Sequence, residues 1–255
     1  MKRNYKSVCA NSLLAMMAVA SLAMPAQAQQ TNIRSVRFYT VKTDRVGDFQ
    51  AAIKDANAIM AKAGSDRYFS IWASLTGPTE YVRVDNYTKW ADLDRGADPK
   101  LKEQQAALQQ ITTRIMQCVE SSHRVIEQEL PELTLPISGA LPKMIRASQS
   151  RVRPDKVNEY LELVKSDVFP AAKKSGLKFF SVAQVRYGAP TTEFISVAGL
   201  DHWADFDAGF GVEKAMGKEG YQRFLTRMRP LLVDTEYNVY RLMPDLSYLP
   251  PTTSK

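Results

Sequence analysis

Trp90-Ala91-Asp92-Leu93-Asp94-Arg95-Gly96 returns 113 residues later as Trp203-Ala204-Asp205-Phe206-Asp207-Ala208-Gly209. The same displacement carries Glu80-Tyr81-Val82 onto Glu193-Phe194-Ile195 and Thr113-Arg114 onto Thr226-Arg227. It also carries Pro131-Glu132-Leu133-Thr134 onto Pro244-Asp245-Leu246-Ser247. Upstream, Asp44-Arg45-Val46 answers Asp155-Lys156-Val157 at a displacement of 111, and Gly64 answers Gly176 at 112. Small insertions account for that drift. One short match is noise, but a series in one order is a tandem duplication. The first copy is assigned to residues 33–136 and the second to 143–250. The join, Leu135 to Pro142, carries Pro136, Gly139 and Pro142. It is too short for free domain motion, so the copies are expected to pack together.

Each copy resolves into the same elements. In the first, Ser35 to Val41 alternates as a strand does, and Asp44 can cap a helix whose Val46, Phe49, Ile53, Ala56 and Met60 share one face. Gly64 is placed to end that helix. Tyr68 to Leu75 and Tyr81 to Tyr87 read as a hairpin about Gly77-Pro78. Trp90 opens a second helical region, interrupted near Gly96 to Pro99 and resuming to about Glu120. His123 to Glu129 is the last strand. The second copy repeats the order, with strands at 145–150, 179–186, 193–199 and 237–242 and helices from Asp155 and Trp203. Pro170 predicts a kink or restart in the first of those helices, and both tryptophans are expected to anchor their helices in the core.

A βαββαβ unit is ferredoxin-like, a four-stranded antiparallel sheet with both helices on one face. The other face must be buried elsewhere, and two units provide that for each other. On this element order, the duplication and the tryptophan opening each second helix, the chain resembles the dimeric α+β barrel superfamily, with its antibiotic-biosynthesis-monooxygenase-like and NIPSNAP-like members. The fold class implied is α+β: two ferredoxin-like repeats packed sheet to sheet as an intramolecular α+β barrel. Fusion supplies within one chain the dimer that single-unit relatives must form, which fits a monomer.

The N-terminus carries an address. Lys2, Arg3 and Lys6 precede an apolar run from Leu13 to Ala23, and Ala26-Gln27-Ala28 offers small residues where a signal peptidase reads. That is a secretory signal, residues 1–28, with cleavage expected after Ala28 and export to the bacterial periplasm. Eleven apolar residues are too few for a bilayer core that needs about 20, so no stable membrane insertion is expected after processing. Processing lowers Lys+Arg from 34 to 31 against 27 Asp+Glu, and the net charge from +7 to +4. The basic residues are scattered, which excludes the concentrated footprint of a nucleic-acid binder. Only Cys118 survives processing, so no internal disulfide is expected, and its helical spacing from Ile111 and Ile115 places it in the core.

Alternation also suggests where chemistry lies. In the first copy Val36, Phe38, Phe69, Ile71, Ala73, Leu75, Val82, Val84 and Ile126 form an apolar set assigned to the helices. The mixed set Arg37, Tyr39, Tyr68, Ser70, Trp72, Arg83, Asp85 and Glu127 is assigned to the partner sheet. The second copy adds Phe180, Gln184, Arg186, Phe194, Ser196, Asn238 and Tyr240. Arg37, Tyr39, Tyr68, Trp72, Arg83, Asp85, Glu127, Arg186 and Tyr240 are therefore the candidate ligand-binding residues. An interior with aromatic walls and a few polar groups is how ligand sites are built. The alternative is that these groups satisfy one another, as in an Arg37–Glu127 or Arg83–Asp85 network. If they do form a site, Arg83→Ala should weaken binding more than Ser196→Ala does.

No catalytic set stands out. His123 and His202 have Glu236 and Lys89 as repeat counterparts, belong to no repeated motif, and read as capping or surface residues. No zinc ligand set, glycine-rich phosphate loop or Ser-His-Asp arrangement is present at a recognisable spacing. Some relatives implied by the resemblance bind or degrade haem, but their signature histidine finds no match here. No cofactor or metal is therefore predicted, haem being a minority reading. Three functions remain: a binding protein for a small, partly apolar molecule held between the sheets, a cofactor-free monooxygenase- or isomerase-like enzyme, and a structural or assembly protein.

Overall fold

The computed structural model describes residues 32–137, 139–207 and 209–251. The signal-peptide assignment falls outside them. The first copy forms β1 (Ile33–Val41), α1 (Val46–Lys62), β2 (Phe69–Ser74), β3 (Glu80–Tyr87), α2 (Gln105–Gln117) and β4 (Val119–Glu129). The second forms β5 (Met144–Val152), α3 (Val157–Leu163), α4 (Phe169–Lys174), β6 (Phe180–Tyr187), β7 (Glu193–Leu200), α5 (Gly211–Met228) and β8 (Leu232–Leu242).

The strands close into one antiparallel barrel in the order β1-β3-β2-β8-β5-β7-β6-β4. Each copy contributes four adjacent strands. Two seams join the copies: β4 to β6, with Glu127 opposite Val185, and β2 to β8, with Ser74 opposite Tyr240. Closure removes every free sheet edge, which would otherwise be a template for aggregation.

The helices lie outside the barrel and generate two separate cores. Around α1 the first contains Phe49, Ile53, Met60, Phe69, Ile71 and Tyr81. The second gathers Tyr160, Leu163, Val164, Phe180, Val182 and Phe194. A third apolar cluster, Val36, Trp72, Val82, Val125, Val185 and Tyr240, lies within the barrel itself. Cys118 is buried in the first core, its thiol donating to the Arg114 carbonyl.

Helix ends follow local chemistry. Gly64, at φ +64°, closes α1: its N–H donates to Ala61 and that of Ser65 to Met60. This pair of bonds is the Schellman arrangement, and it needs a residue free to adopt the left-handed conformation. Pro170 does not break its helix abruptly. The chain widens into a π turn over Val164–Val168, with Phe169 N–H reaching Val164 O, and resumes as α4. The wider winding accommodates a proline that cannot donate to the residue four before it.

The repeated Trp-Ala-Asp motif has a different role from the one expected. Trp90 and Trp203 begin short 3-10 turns, Trp90–Asp94 and Trp203–Phe206, and the second α-helices start only at Gln105 and Gly211. Both tryptophans lie at the surface, 39 and 49% exposed, Trp90 meeting Tyr187 edge-on and Trp203 lying against Phe206. The expectation that they anchor helices in the core is therefore corrected. The buried partner in the first motif is Asp92, whose carboxylate accepts from the Thr88 and Lys89 N–H groups and the Thr88 hydroxyl. Asp205 accepts in the same way from the N–H groups of Asp201 and His202. The motif recurs because an acid three residues into a turn satisfies otherwise unpaired donors. Asp92→Ala is expected to lower the thermal midpoint by about 2–6 °C, while Trp90→Ala shifts it less; differential scanning fluorimetry of both variants checks the order.

Candidate functional site

The barrel holds a partly open cavity of about 430 Å³. Its walls come from alternate residues of the strands: Arg34, Val36 and Phe38 of β1, Ser70 and Trp72 of β2, and Val82, Val84 and Asn86 of β3. Glu127 and Glu129 of β4 contribute from the first copy, and Ile145, Ala147, Gln149, Ile195, Val197, Glu236, Asn238 and Tyr240 from the second. Thr134, Pro136, Ile137, Leu141 and Pro142 of the join cover part of it, so the segment linking the copies is also a wall.

The nine candidate residues divide. Trp72, Glu127 and Tyr240 line the cavity. The others do not, and their assignment to the interior is corrected. Tyr39 packs against Phe49 beneath the helices, and Arg37 shares that outer face of β1. Arg83 and Asp85 form a two-pronged ion pair at 2.9 and 2.7 Å, with the guanidinium 3.7 Å above the Phe69 ring. Tyr68 stacks on Tyr248, and Arg186 donates to Gln128. Val36, Phe38, Val82 and Val84, assigned to the helices, face the cavity instead. In the second copy Phe180 and Phe194 belong to the helix-covered core, whereas Asn238 lines the cavity. The reason is that a closed barrel under helices buries both faces of its strands. Polar against apolar then no longer distinguishes in from out, and a self-contained pair such as Arg83–Asp85 can lie on the helix side. Its removal from the cavity also withdraws the expected contrast between Arg83→Ala and Ser196→Ala.

The principal polar group is one that strand reading placed just before the first strand. Arg34 is the one cationic side chain among the described residues lining the cavity. Its Nη1 donates to Ser181 Oγ at 3.3 Å and its Nε stands 3.5 Å from Glu127 Oε2. Nε and Nη2 are fully buried and have no hydrogen-bond partner among the described residues. Buried donors are nearly always satisfied, so a guanidinium with two nitrogens lacking hydrogen bonds at the wall of a mainly apolar cavity marks a place for an acceptor. The signal for it was the parity class Asn32, Arg34, Val36, Phe38, legible only once the strand is begun at Ile33.

Glu127, the carboxyl beside that arginine, has two further buried carboxyl groups near it. Glu127, Glu129 and Glu193 are 3, 8 and 4% exposed. Asn32 donates to Glu129, and the Gln149 amide donates to Glu193. Burial pushes the Glu127 carboxyl above its ordinary range; Arg34 works against this, while Glu193 and Glu129 add to it. Elsewhere Tyr240 donates to Glu80 at 3.0 Å, and desolvation raises both groups.

Neither histidine lines the cavity. His123 lies flat against Phe38, ring centroids 4.5 Å apart, and is exposed, while His202 heads the second 3-10 turn. The lining tyrosine, Tyr240, is committed to Glu80. These residues do not fit a haem iron, which needs an axial ligand aimed into its pocket. No group of three or more potential metal ligands occurs among the described residues.

No protein-family model matches the sequence, and no curated protein matches it. Solved structures do. The chain is similar to a candidate monooxygenase from Fusobacterium nucleatum, with a TM-score of 0.59 and 13% identity over 84% of this chain and 93% of that one. An anthrone oxidase-like protein gives 0.57 and 13% over 88% and 96%. A mutant chlorite dismutase from Candidatus Nitrospira defluvii gives 0.53 and 8% over 85% and 92%. The fold is that of a dimeric α+β barrel. At these identities the likeness concerns architecture, and functions differ within one fold. In the α+β barrel described here both sheets belong to one chain, so a residue on one side of the cavity need not be matched on the other.

Proposed function

We propose that this protein binds a small, partly apolar molecule inside its barrel. The observation that carries the reading is the barrel cavity with an arginine two of whose buried nitrogens lack a hydrogen-bond partner among the described residues. An apolar wall provides affinity through water release, and a few aimed polar groups fix orientation. The N-terminal pattern at residues 2–28 supports export, so the ligand would be met outside the cytoplasm. Native mass spectrometry and an absorption spectrum of protein purified from the periplasm test this. A reproducible added mass is the expected result; a bare mass, together with no uptake of hydrophobic probes, would end the reading. Among the described residues no helix is long and apolar enough to cross a membrane.

A second reading is favoured by Glu127. A buried carboxyl of raised proton affinity beside a cation can take a proton from a bound molecule while the cation steadies the charge that develops. That is the group a cofactor-free monooxygenase- or isomerase-like enzyme requires. If the protein is an enzyme, Glu127→Gln will lower kcat by about 100-fold or more while leaving KM within a few-fold. Unchanged turnover in that variant would remove Glu127 from the chemistry.

A further inference from the structure

The duplication allows each cavity position to be compared with its counterpart. Arg34 lies opposite Asn86 on β3 and Glu127 on β4. In the second copy the corresponding register sets Ile145 opposite Gly199 and Tyr240. The polar row Arg34–Glu127–Asn86 thus recurs as Ile145–Tyr240–Gly199. The second row is closed to a polar ligand. Ile145 offers no hydrogen bond, the Tyr240 hydroxyl is committed to Glu80, and the space beside Gly199 is filled by Pro142 and Phe179, whose carbons stand 3.1–3.2 Å from where a Cβ would be.

We infer that the cavity holds one ligand per chain in a single orientation, and that this ligand is a neutral molecule whose carbonyl-type oxygen accepts from Arg34 Nε and Nη2 while its apolar body lies toward Trp72 and Ile145. The inference rests on the binding reading above and deepens it. Charge decides between a neutral and an anionic head. The Arg34 guanidinium already meets Glu127, which has Glu129 and Glu193 near it, all three buried. A carboxylate head would bring a further acidic group to a place already crowded by three buried carboxyls, where charges are weakly screened. A carbonyl oxygen satisfies the two donors without adding charge, and an unmet buried donor is costly enough to discriminate strongly against a molecule lacking the acceptor. The breakdown of repeat symmetry sets the count at one, because the matching row of the second copy has no counterpart to the Arg34 guanidinium.

Three naphthalene probes of nearly equal shape test this on the purified full chain: 2-acetylnaphthalene, 2-naphthoate and 2-ethylnaphthalene, followed by calorimetry and by tryptophan quenching. The ketone should bind one per chain and about tenfold or more tighter than either the hydrocarbon or the carboxylate. Removing Arg34 alone could unfold the protein, so the test variants are Glu127→Gln and the charge-balanced double variant Arg34→Met/Glu127→Gln. The single variant should keep the preference for the ketone over the hydrocarbon, and the double variant should lose it. Tighter binding of the carboxylate, two equivalents per chain, or a ketone preference that survives in the double variant would overturn the inference while leaving a binding cavity in place. Failure of all three probes to bind would overturn both the inference and the cavity reading.

Discussion

Gly188→Ala is expected to destabilise the protein by at least about 3 kcal/mol and to lower its thermal midpoint by about 6–12 °C. Gly188 follows β6 at φ +91°, and a Cβ there would stand 2.2 Å from the Arg124 carbonyl oxygen and 3.1 Å from the Val125 Cα. Both are backbone atoms of β4, so no side chain can yield. The only relief is to part the β4–β6 seam, one of the two that close the barrel. Gly64→Ala provides the comparison. Gly64 is also left-handed, at φ +64°, but a Cβ there meets nothing within 4 Å. Its cost is the conformational one alone, about 1 kcal/mol, and the midpoint should fall by about 2–4 °C. Thermal melts of the two variants measure the difference. If both shift equally, close packing at the seam contributes nothing and the argument from geometry fails.

The architecture was legible because a duplication displays its own boundaries and because strand and helix periods differ. The helix face Phe49, Ile53 and Met60 is buried as its spacing demands, and Gly64 ends α1 as its position demands. The site was much less legible. A strand exposed on one side announces its inner face by alternation, but β1 and β3 are covered on both sides. Val36 and Val82 enter the cavity while Tyr39 and Tyr81 enter the helix-covered core. Both sets contain apolar residues, so pattern alone could not rank them. The polar residues misled in turn: Arg83 and Asp85 satisfy each other, and Phe69 supports the cation, all on the helix side. What does identify the interior is pairing. Once Arg34, Asn86 and Glu127 are seen to share a register row, the parity of every neighbouring residue follows.

Arg34→Met should be severely destabilising, about 3–5 kcal/mol, because it leaves buried carboxylates without their cation. Adding Glu127→Gln to it should restore a large part of that loss. The two changes are coupled through one contact, Arg34 Nε to Glu127 Oε2 at 3.5 Å, so their effects cannot be additive. The pH dependence has a definite sign. Burial favours the neutral form of Glu127 in the folded state, so its proton is held more tightly there than in the unfolded chain. The resulting stabilisation is complete below the ordinary carboxylate range and is lost as pH rises through the elevated value. Glu127→Gln keeps the neutral shape at every pH. Its stability relative to the parent should therefore rise from pH 4.5 to pH 8, and the rise should be steeper when Arg34 is also absent, since the cation partly offsets the cost of ionising Glu127. Urea titrations of the parent, both single variants and the double variant at the two pH values supply the whole cycle. Additive losses and a flat pH profile would mean that Arg34 and Glu127 do not meet in solution, and the polar end of the cavity would have to be sought among other residues.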